Sequence, residues 1–249
     1  MNVSRIFIAC VLAVYFSGAA IARQTVDVVS PFGRMKVEIF TSEAKGPRPA
    51  VIILSGSKGF GSSPYDVIAE HFTRAGLDVY LPHLLTPEDL EKISAIKSAG
   101  ERIAYYDQRR RDWTRNLSDL MFHLNRRPEH DGRVGILGIS LGAENAAIAV
   151  LQGLPVDAVV LVDGVPSSDQ TLSFQGKPPF HLIWGGEDRV YSVASGTRFA
   201  EAIKSAGGKA SMTVINSVPH DFFLKPDTTQ AEEAYRSAIN FLKSELHAD

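Results

Sequence analysis

Val134-Gly135-Ile136-Leu137-Gly138-Ile139-Ser140-Leu141-Gly142-Ala143-Glu144-Asn145-Ala146 is the stretch on which the fold turns. Val134 to Leu137 is apolar and short, as a buried strand should be. Ala143 to Leu151 reads as a helix. Between them lies G-x-S-x-G, centred on Ser140. A strand that turns sharply into a helix forces the serine backbone into a strained conformation. Glycines two residues before and two after remove the side chains that would clash. Ser140 is therefore expected to project from the turn as a nucleophile.

Outward from this turn, strands and helices alternate. Ala50–Leu54, Leu77–Leu81, Ala158–Val162, Phe180–Trp184 and Ser211–Ile215 are apolar runs that read as strands. Ser63 as N-cap, Pro64 in the first turn and Asp66 near the positive end open a helix that Gly76 closes. Trp113–Asn125, Val193–Ala206 and Gln230–Leu246 are the other long helices expected. The segment from Pro82 to Asp112 is charged and weakly patterned. Parallel strands need crossovers, so the expectation is an α/β fold: a mostly parallel central sheet with helices on both faces. Thr25–Val29 and Met35–Phe40, with Pro31-Phe32-Gly33 between them, predict an antiparallel hairpin at its edge.

The first 22 residues read as a leader. Met1–Arg5 is basic, Ile6–Phe16 is apolar, and Ala20-Ile21-Ala22 fits the A-x-A cleavage pattern. The apolar run is too short for a comfortable membrane span. Residues 1–22 are thus expected to be a cleaved signal peptide, and 23–249 a single exported α/β domain, periplasmic or secreted, with no stable membrane insertion. Cys10 is the only cysteine and leaves with the leader. The remainder then has no disulfide and no cysteine metal site. A formal net charge of −2 gives no electrostatic argument for binding nucleic acid. Asp107 and Asp112 flank Arg109-Arg110-Arg111, which reads as a solvated helix face.

A serine hydroxyl needs a base, and the base needs an orienting group. His220, in Pro219-His220-Asp221 after the last strand, is the expected base. His71, His123, His130, His181 and His247 sit where histidines are structural or solvated. His83 follows a strand end and is expected as a pocket wall. Asp188, in Gly185-Gly186-Glu187-Asp188, is the expected acid, with Glu187 and Asp163 as alternatives. The developing oxyanion would take the N–H of Leu141, at the helix start, and a second N–H from Ser55-Gly56-Ser57-Lys58-Gly59-Phe60-Gly61. Ser57 is the choice for that second donor and Lys58 the runner-up. Lys58, His83, Tyr105 and Tyr106 are the pocket candidates. No H-E-x-x-H, P-loop or dinucleotide fingerprint is present. Neither a metal nor a cofactor is expected.

These motifs together resemble the α/β-hydrolase superfamily and, within it, the dienelactone hydrolase family. The resemblance runs from about Pro49 to Leu246. It rests on Leu54-Ser55-Gly56-Ser57-Lys58-Gly59-Phe60, Leu81-Pro82, Gly135–Gly142, Gly185–Asp188 and Pro219-His220-Asp221-Phe222. It implies an α/β-hydrolase fold and the triad Ser140, Asp188 and His220. The departures are specific. The name-giving enzymes use a cysteine where this chain has Ser140. Leu224 stands where one substrate-binding arginine is expected, and His83–Pro87 contains no arginine where another is expected. Ser55 stands where many hydrolases have histidine. The resemblance thus implies a serine hydrolase acting on a small-molecule carboxylic ester or lactone, and no particular ester. The same triad would serve a thioesterase or small peptidase, and a non-catalytic binding protein on this fold is the third alternative. The segments His83–Asp112, where a lid is usually inserted, and Asp163–Lys177 are expected to set substrate choice. Leu84, Leu85, Ile93, Ile96, Tyr105 and Tyr106 would supply an apolar wall, or else pack a helix onto the sheet. The sequence sets no oligomeric state.

Overall fold

Successive side chains on a strand point to opposite faces, so a strand apolar at every position must be covered on both sides. Ala50–Leu54 shows this directly. Ile52 and Leu54 enter one hydrophobic cluster, while Val51 and Ile53 enter another on the opposite face. The computed structural model describes residues 23–30, 33–61, 64–166, 174 and 176–247. Residues 1–22, on which the expected leader and its expected cleavage site fall, the turn residues Pro31 and Phe32, the expected cap Ser63, and residues 167–173 and 175 of the Asp163–Lys177 segment lie outside the described residues.

In chain order the elements are β1 (Arg23–Ser30), β2 (Gly33–Phe40), β3 (Arg48–Leu54), α1 (Pro64–Arg74), β4 (Asp78–Pro82), α2 (Pro87–Ala95) and α3 (Ala99–Leu124). They continue with β5 (His130–Ile139), α4 (Leu141–Leu151), β6 (Ala158–Val162), β7 (Phe180–Gly185), α5 (Val193–Ser205), β8 (Ala210–Ile215) and α6 (Thr229–Leu246). The strands form one sheet in the order β1-β2-β4-β3-β5-β6-β7-β8. β1 and β2 are antiparallel to each other, and β2 is antiparallel to β4, so the hairpin forms the edge. All other pairings are parallel. This is the α/β architecture expected from the alternation of apolar runs.

Helices α3, α4 and α5 cover one face through Trp113, Leu117, Ala146 and Ile203. Helices α1 and α6 cover the other through Ile68, Phe72, Tyr235 and Leu242. In α6, Ala231, Ala234, Tyr235, Ala238, Leu242 and Leu246 are buried at helical spacing. Each buried leucine there contributes about 2 kcal/mol of apolar transfer.

The largest departure from expectation is α3. It starts at Ala99 rather than Trp113, with Ser98 as its N-cap. Its first half has no apolar stripe because its inward side is polar. Tyr105 Oη and Arg109 Nε donate to Asp89 on α2, and Arg110 donates to Glu144 and Asn145 on α4. The reading of Arg109–Arg111 as a solvated face therefore holds only for Arg111, which is exposed. α2 is fixed by a reciprocal cap in which Thr86 Oγ1 accepts from Asp89 N–H and Asp89 accepts from Thr86 N–H. Leu84, Leu85 and Ile93 are buried core residues, so the packing alternative describes them.

Candidate active site

The turn at Ser140 joins β5 to α4. Ser140 has φ 56° and ψ −116°, a conformation L-residues rarely hold. Its N–H donates to Val162 O on β6 at 2.8 Å. The flanking glycines are required by contact. A Cβ on Gly138 would stand 2.2 Å from Gly142 O, and one on Gly142 would stand 2.4 Å from Leu54 O. No side chain fits at either position.

All four non-glycine residues with positive φ among the described residues lie in segments that follow strands. They are Ser140, Asp163 beyond β6, and Ser217 and Asp221 on the loop after β8. Such strain persists only where the surroundings enforce it. The Ser217–Asp221 loop carries His220 over the sheet edge.

His220 Nε2 lies 3.1 Å from Ser140 Oγ. His220 Nδ1 lies 2.8 Å from Asp188 Oδ2. An ionised carboxylate only accepts, so Nδ1 carries the proton and Nε2 is left to accept from the serine hydroxyl. Asp188 sits in the turn after β7 with its side chain fully buried. Its Oδ1 accepts the N–H groups of Val190 at 2.7 Å and Tyr191 at 2.9 Å. With His220, this gives the carboxylate three donors. Glu187, the neighbouring alternative, is exposed and takes no part.

A cavity of about 430 Å³ opens above Ser140. Its floor is Ser140, Leu141 and His220, and one side is Gly56, Ser57 and Lys58. A Cβ on Gly56 would sit 3.6 Å from that of Ser140, so this loop abuts the nucleophile. Within the loop, Gly56 N–H is spent on Tyr65 Oη and Gly59 N–H on Gly56 O. Ser57 and Lys58 lie between them. The opposite side is α3, through Arg102, Ile103 and Tyr106. Burial raises the Tyr106 phenol above its ordinary pKa, against opposing effects of Arg102 and the Ser57 side chain.

Two pocket candidates stand elsewhere. His83 Nε2 pairs with Glu38 Oε1 at 2.8 Å, and its ring lies against Phe60. Glu38 is buried on β2 beside the end of β4, and a buried carboxylate needs partners. It draws His83, Lys36 and Arg23 to the sheet edge, away from the cavity. Tyr105 is turned toward α2 by its 2.6 Å hydrogen bond to Asp89 and does not line the cavity.

The structure also brings in residues that the sequence reading did not single out. Tyr191 stacks on His220, with ring centroids 5.9 Å apart and planes 26° from parallel. Its hydroxyl donates to Glu144 Oε1, and Arg110 donates to Glu144 Oε2 at 3.2 Å. Burial raises the Glu144 carboxyl pKa, and the bonds from Tyr191 and Arg110 only partly offset it. The available signal was spacing. Glu144 is one helical turn past Ser140, and Tyr191 is three residues past Asp188.

Among the described residues, Asp163, Asp188 and His220 form a cluster of metal-ligand types, with polar atoms within 4.8 Å of one another. Asp188 Oδ2 and His220 Nδ1 are already bonded to each other, so hydrogen bonding accounts for that pair. No described helix is long and apolar enough to cross a membrane.

A serine on a strained strand-to-helix turn, facing a histidine and an aspartate from later strand ends, defines an α/β-hydrolase. The chain belongs to the dienelactone hydrolase family, whose model matches residues 35–246. It is a carboxylic ester hydrolase of that family. Solved structures support the fold. A dienelactone hydrolase from Anabaena variabilis is 20% identical with a TM-score of 0.71, over 91% of this chain and 99% of that one. A dienelactone hydrolase-like promiscuous phosphotriesterase from metagenomic libraries is 17% identical with a TM-score of 0.75, over 91% and 99%. A thermostable carboxylesterase from a metagenomic library is 17% identical with a TM-score of 0.69, over 92% and 91%. No curated protein sequence matches the chain.

Proposed function

We propose that this protein is an exported serine hydrolase that cleaves a small carboxylic ester or lactone through an acyl-enzyme on Ser140. The observation that carries the reading is the unbroken chain Ser140 Oγ, His220 Nε2, His220 Nδ1, Asp188 Oδ2, with gaps of 3.1 and 2.8 Å, at the floor of a cavity. In the first half-reaction Ser140 Oγ attacks the carbonyl carbon while His220 Nε2 takes its proton. Collapse of the tetrahedral intermediate breaks the ester C–O bond, and the leaving alkoxide receives that proton from His220. Water then attacks the acyl carbon, giving a proton to His220. Ser140 recovers that proton as the acid leaves.

The backbone N–H groups of Leu141 and Ser57 would hold the oxyanion, and the start of α4 adds its positive dipole end. Asp188 keeps the imidazole in the tautomer that accepts from serine. Export rests on the leader at residues 1–22.

The test is a fluorophosphonate probe with p-nitrophenyl ester turnover. Wild-type protein labels at Ser140, and Ser140→Ala loses both labelling and at least about 10⁴-fold of turnover. Undiminished turnover by Ser140→Ala would sink the reading.

A further inference from the structure

Asp163 stands one residue beyond β6 and has no task in the proposed triad. It is 1% exposed and has φ 50°. Its Oδ1 accepts from Gly185 N–H at 2.8 Å. Its Oδ2 is buried and has no hydrogen-bond partner as a carboxylate oxygen. Yet one polar side-chain atom from each of Asp163, Asp188 and His220 lies within 4.8 Å of the other two.

A buried acceptor without a donor is costly. Two ionised carboxylates side by side in a buried site are costlier still, so such a pair shares a proton. The donors decide which member keeps it. Asp188 has three: the N–H groups of Val190 and Tyr191 and the Nδ1–H of His220. Asp163 has one. Asp188 therefore keeps the charge, and the proton stays on Asp163. Burial, then the charges of Asp188 and Asp221, push the Asp163 carboxyl up to about 8, against the Gly185 N–H that favours the anion. With a proton on Oδ2, the orphaned acceptor becomes a donor, and the carboxylate beside it is Asp188.

We propose that Asp163 is a positioning residue: it stays protonated at neutral pH and donates a hydrogen bond from Oδ2 to the Asp188 carboxylate, fixing the acid that orients His220. The inference rests on the triad reading of the site. The proton remains on Asp163 through turnover. The groups facing it are Gly185 N–H on β7, Asp188 on the following turn, and His220 and Asp221 on the loop after β8. Above pH about 8 Asp163 ionises, the donor is lost, and a second negative charge repels Asp188.

The experiment measures the rate of fluorophosphonate labelling of Ser140 from pH 5 to 10 in wild type, Asp163→Asn and Asp163→Ala. The wild-type rate should fall above pH about 8. Asn keeps the acceptor for Gly185 N–H and supplies an N–H donor that does not titrate. Asp163→Asn should be about fivefold slower at pH 7, as for a weakened hydrogen bond, and should show no fall between pH 8 and 10. Asp163→Ala should be roughly a hundredfold slower, because Asp188 loses this donor, Gly185 N–H loses its acceptor and the acid is less firmly placed. An alkaline fall in Asp163→Asn matching that of wild type would overturn the proposal.

Carboxyl ¹³C NMR of aspartate-labelled wild type gives a reading independent of activity and of how the variants fold. A buried carboxyl titrating near pH 8 supports the proposal, and absence of any such carboxyl refutes it. Wild type that fails to label at Ser140 would instead sink the triad reading, while the NMR titration would still decide the state of Asp163.

Discussion

Across the cavity, the strand-to-helix turn at Ser140, the elbow, is shaped by backbone touching backbone, whereas the α3 wall opposite, with α2 bound to it, is held by side chains touching side chains. At the elbow, Gly138, Gly142 and the end of β3 approach so closely that a single methyl would overlap a carbonyl. On the wall, buried Asp89 gathers Thr86 N–H, Tyr105 Oη, Arg109 Nε and Trp113 Nε1. A backbone constraint admits one residue type, and a side-chain network admits repacked alternatives. The proposed chemistry therefore stands on the part of the molecule least able to vary, and the cavity side proposed to meet the rest of the substrate stands on the part most able to.

The sharpest way to break this comparison is Gly142→Ala. The added Cβ would meet Leu54 O at 2.4 Å and Ser55 O at 2.7 Å, and neither backbone can withdraw without opening the sheet. We expect a loss of more than about 4 kcal/mol, seen as failure to recover soluble, cooperatively unfolding protein. A variant melting within a few degrees of wild type would show that the floor is not backbone-limited. On the wall, Asp89→Ala strands four donors, including the charged Arg109, and is expected to cost about 3 kcal/mol. For a chain of this length that lowers Tm by roughly 6–12 °C. The folded variant should still turn over p-nitrophenyl acetate within about threefold of wild type, because Asp89 does not line the cavity. A collapse of kcat in folded protein would mean that the wall shapes the floor.

The same contrast governs what the sequence discloses. The elbow was legible because close approach imposes glycine at fixed spacing around Ser140. Asp188 and His220 were legible as residues at strand ends in chain order. The wall was not legible, because its inward face is satisfied by partners distant in sequence. Arg110 reads as a surface charge until Glu144, on another helix, is placed beside it. Tyr191 and Glu144 are 47 positions apart, and His83 and Glu38 are 45 apart. No periodicity reports such pairs. A polar inward face also erased the apolar stripe that would have announced the first half of α3.

Acid and alkali should separate the two regions. Burial alone would raise the Asp89 carboxyl, but Arg109, Tyr105, Thr86 and Trp113 together hold it below its ordinary value. Its stabilising contribution is present above the unfolded pKa and is lost as pH falls through the lower folded one. Asp163 runs the other way, from an ordinary 3.8 to about 8. Its contribution is complete below the unfolded value and is lost as pH rises toward the folded one, by about 1.4 kcal/mol per pH unit between them. Thermal melts from pH 3 to 9 should therefore show Asp163→Asn losing less stability than wild type from pH 5 to 8. Asp89→Asn should lose less below pH 4. Parallel curves for all three proteins would contradict this assignment.

The smallest expected effect tests the wall as a specificity surface. Ile103 is 46% exposed and lines the cavity mouth on α3. Truncating it to alanine removes apolar surface that only a long substrate would cover. Covering the lost carbons in part is worth about 1.4 kcal/mol, or roughly tenfold in kcat/KM. Ile103→Ala should therefore lose about that much on p-nitrophenyl octanoate, almost all of it in KM, and stay within about twofold on the acetate. The split matters more than the size. A loss shared equally by acetate and octanoate would place Ile103 with the elbow, acting on the reacting centre. A loss confined to the longer ester leaves chemistry on the floor and substrate choice on the wall.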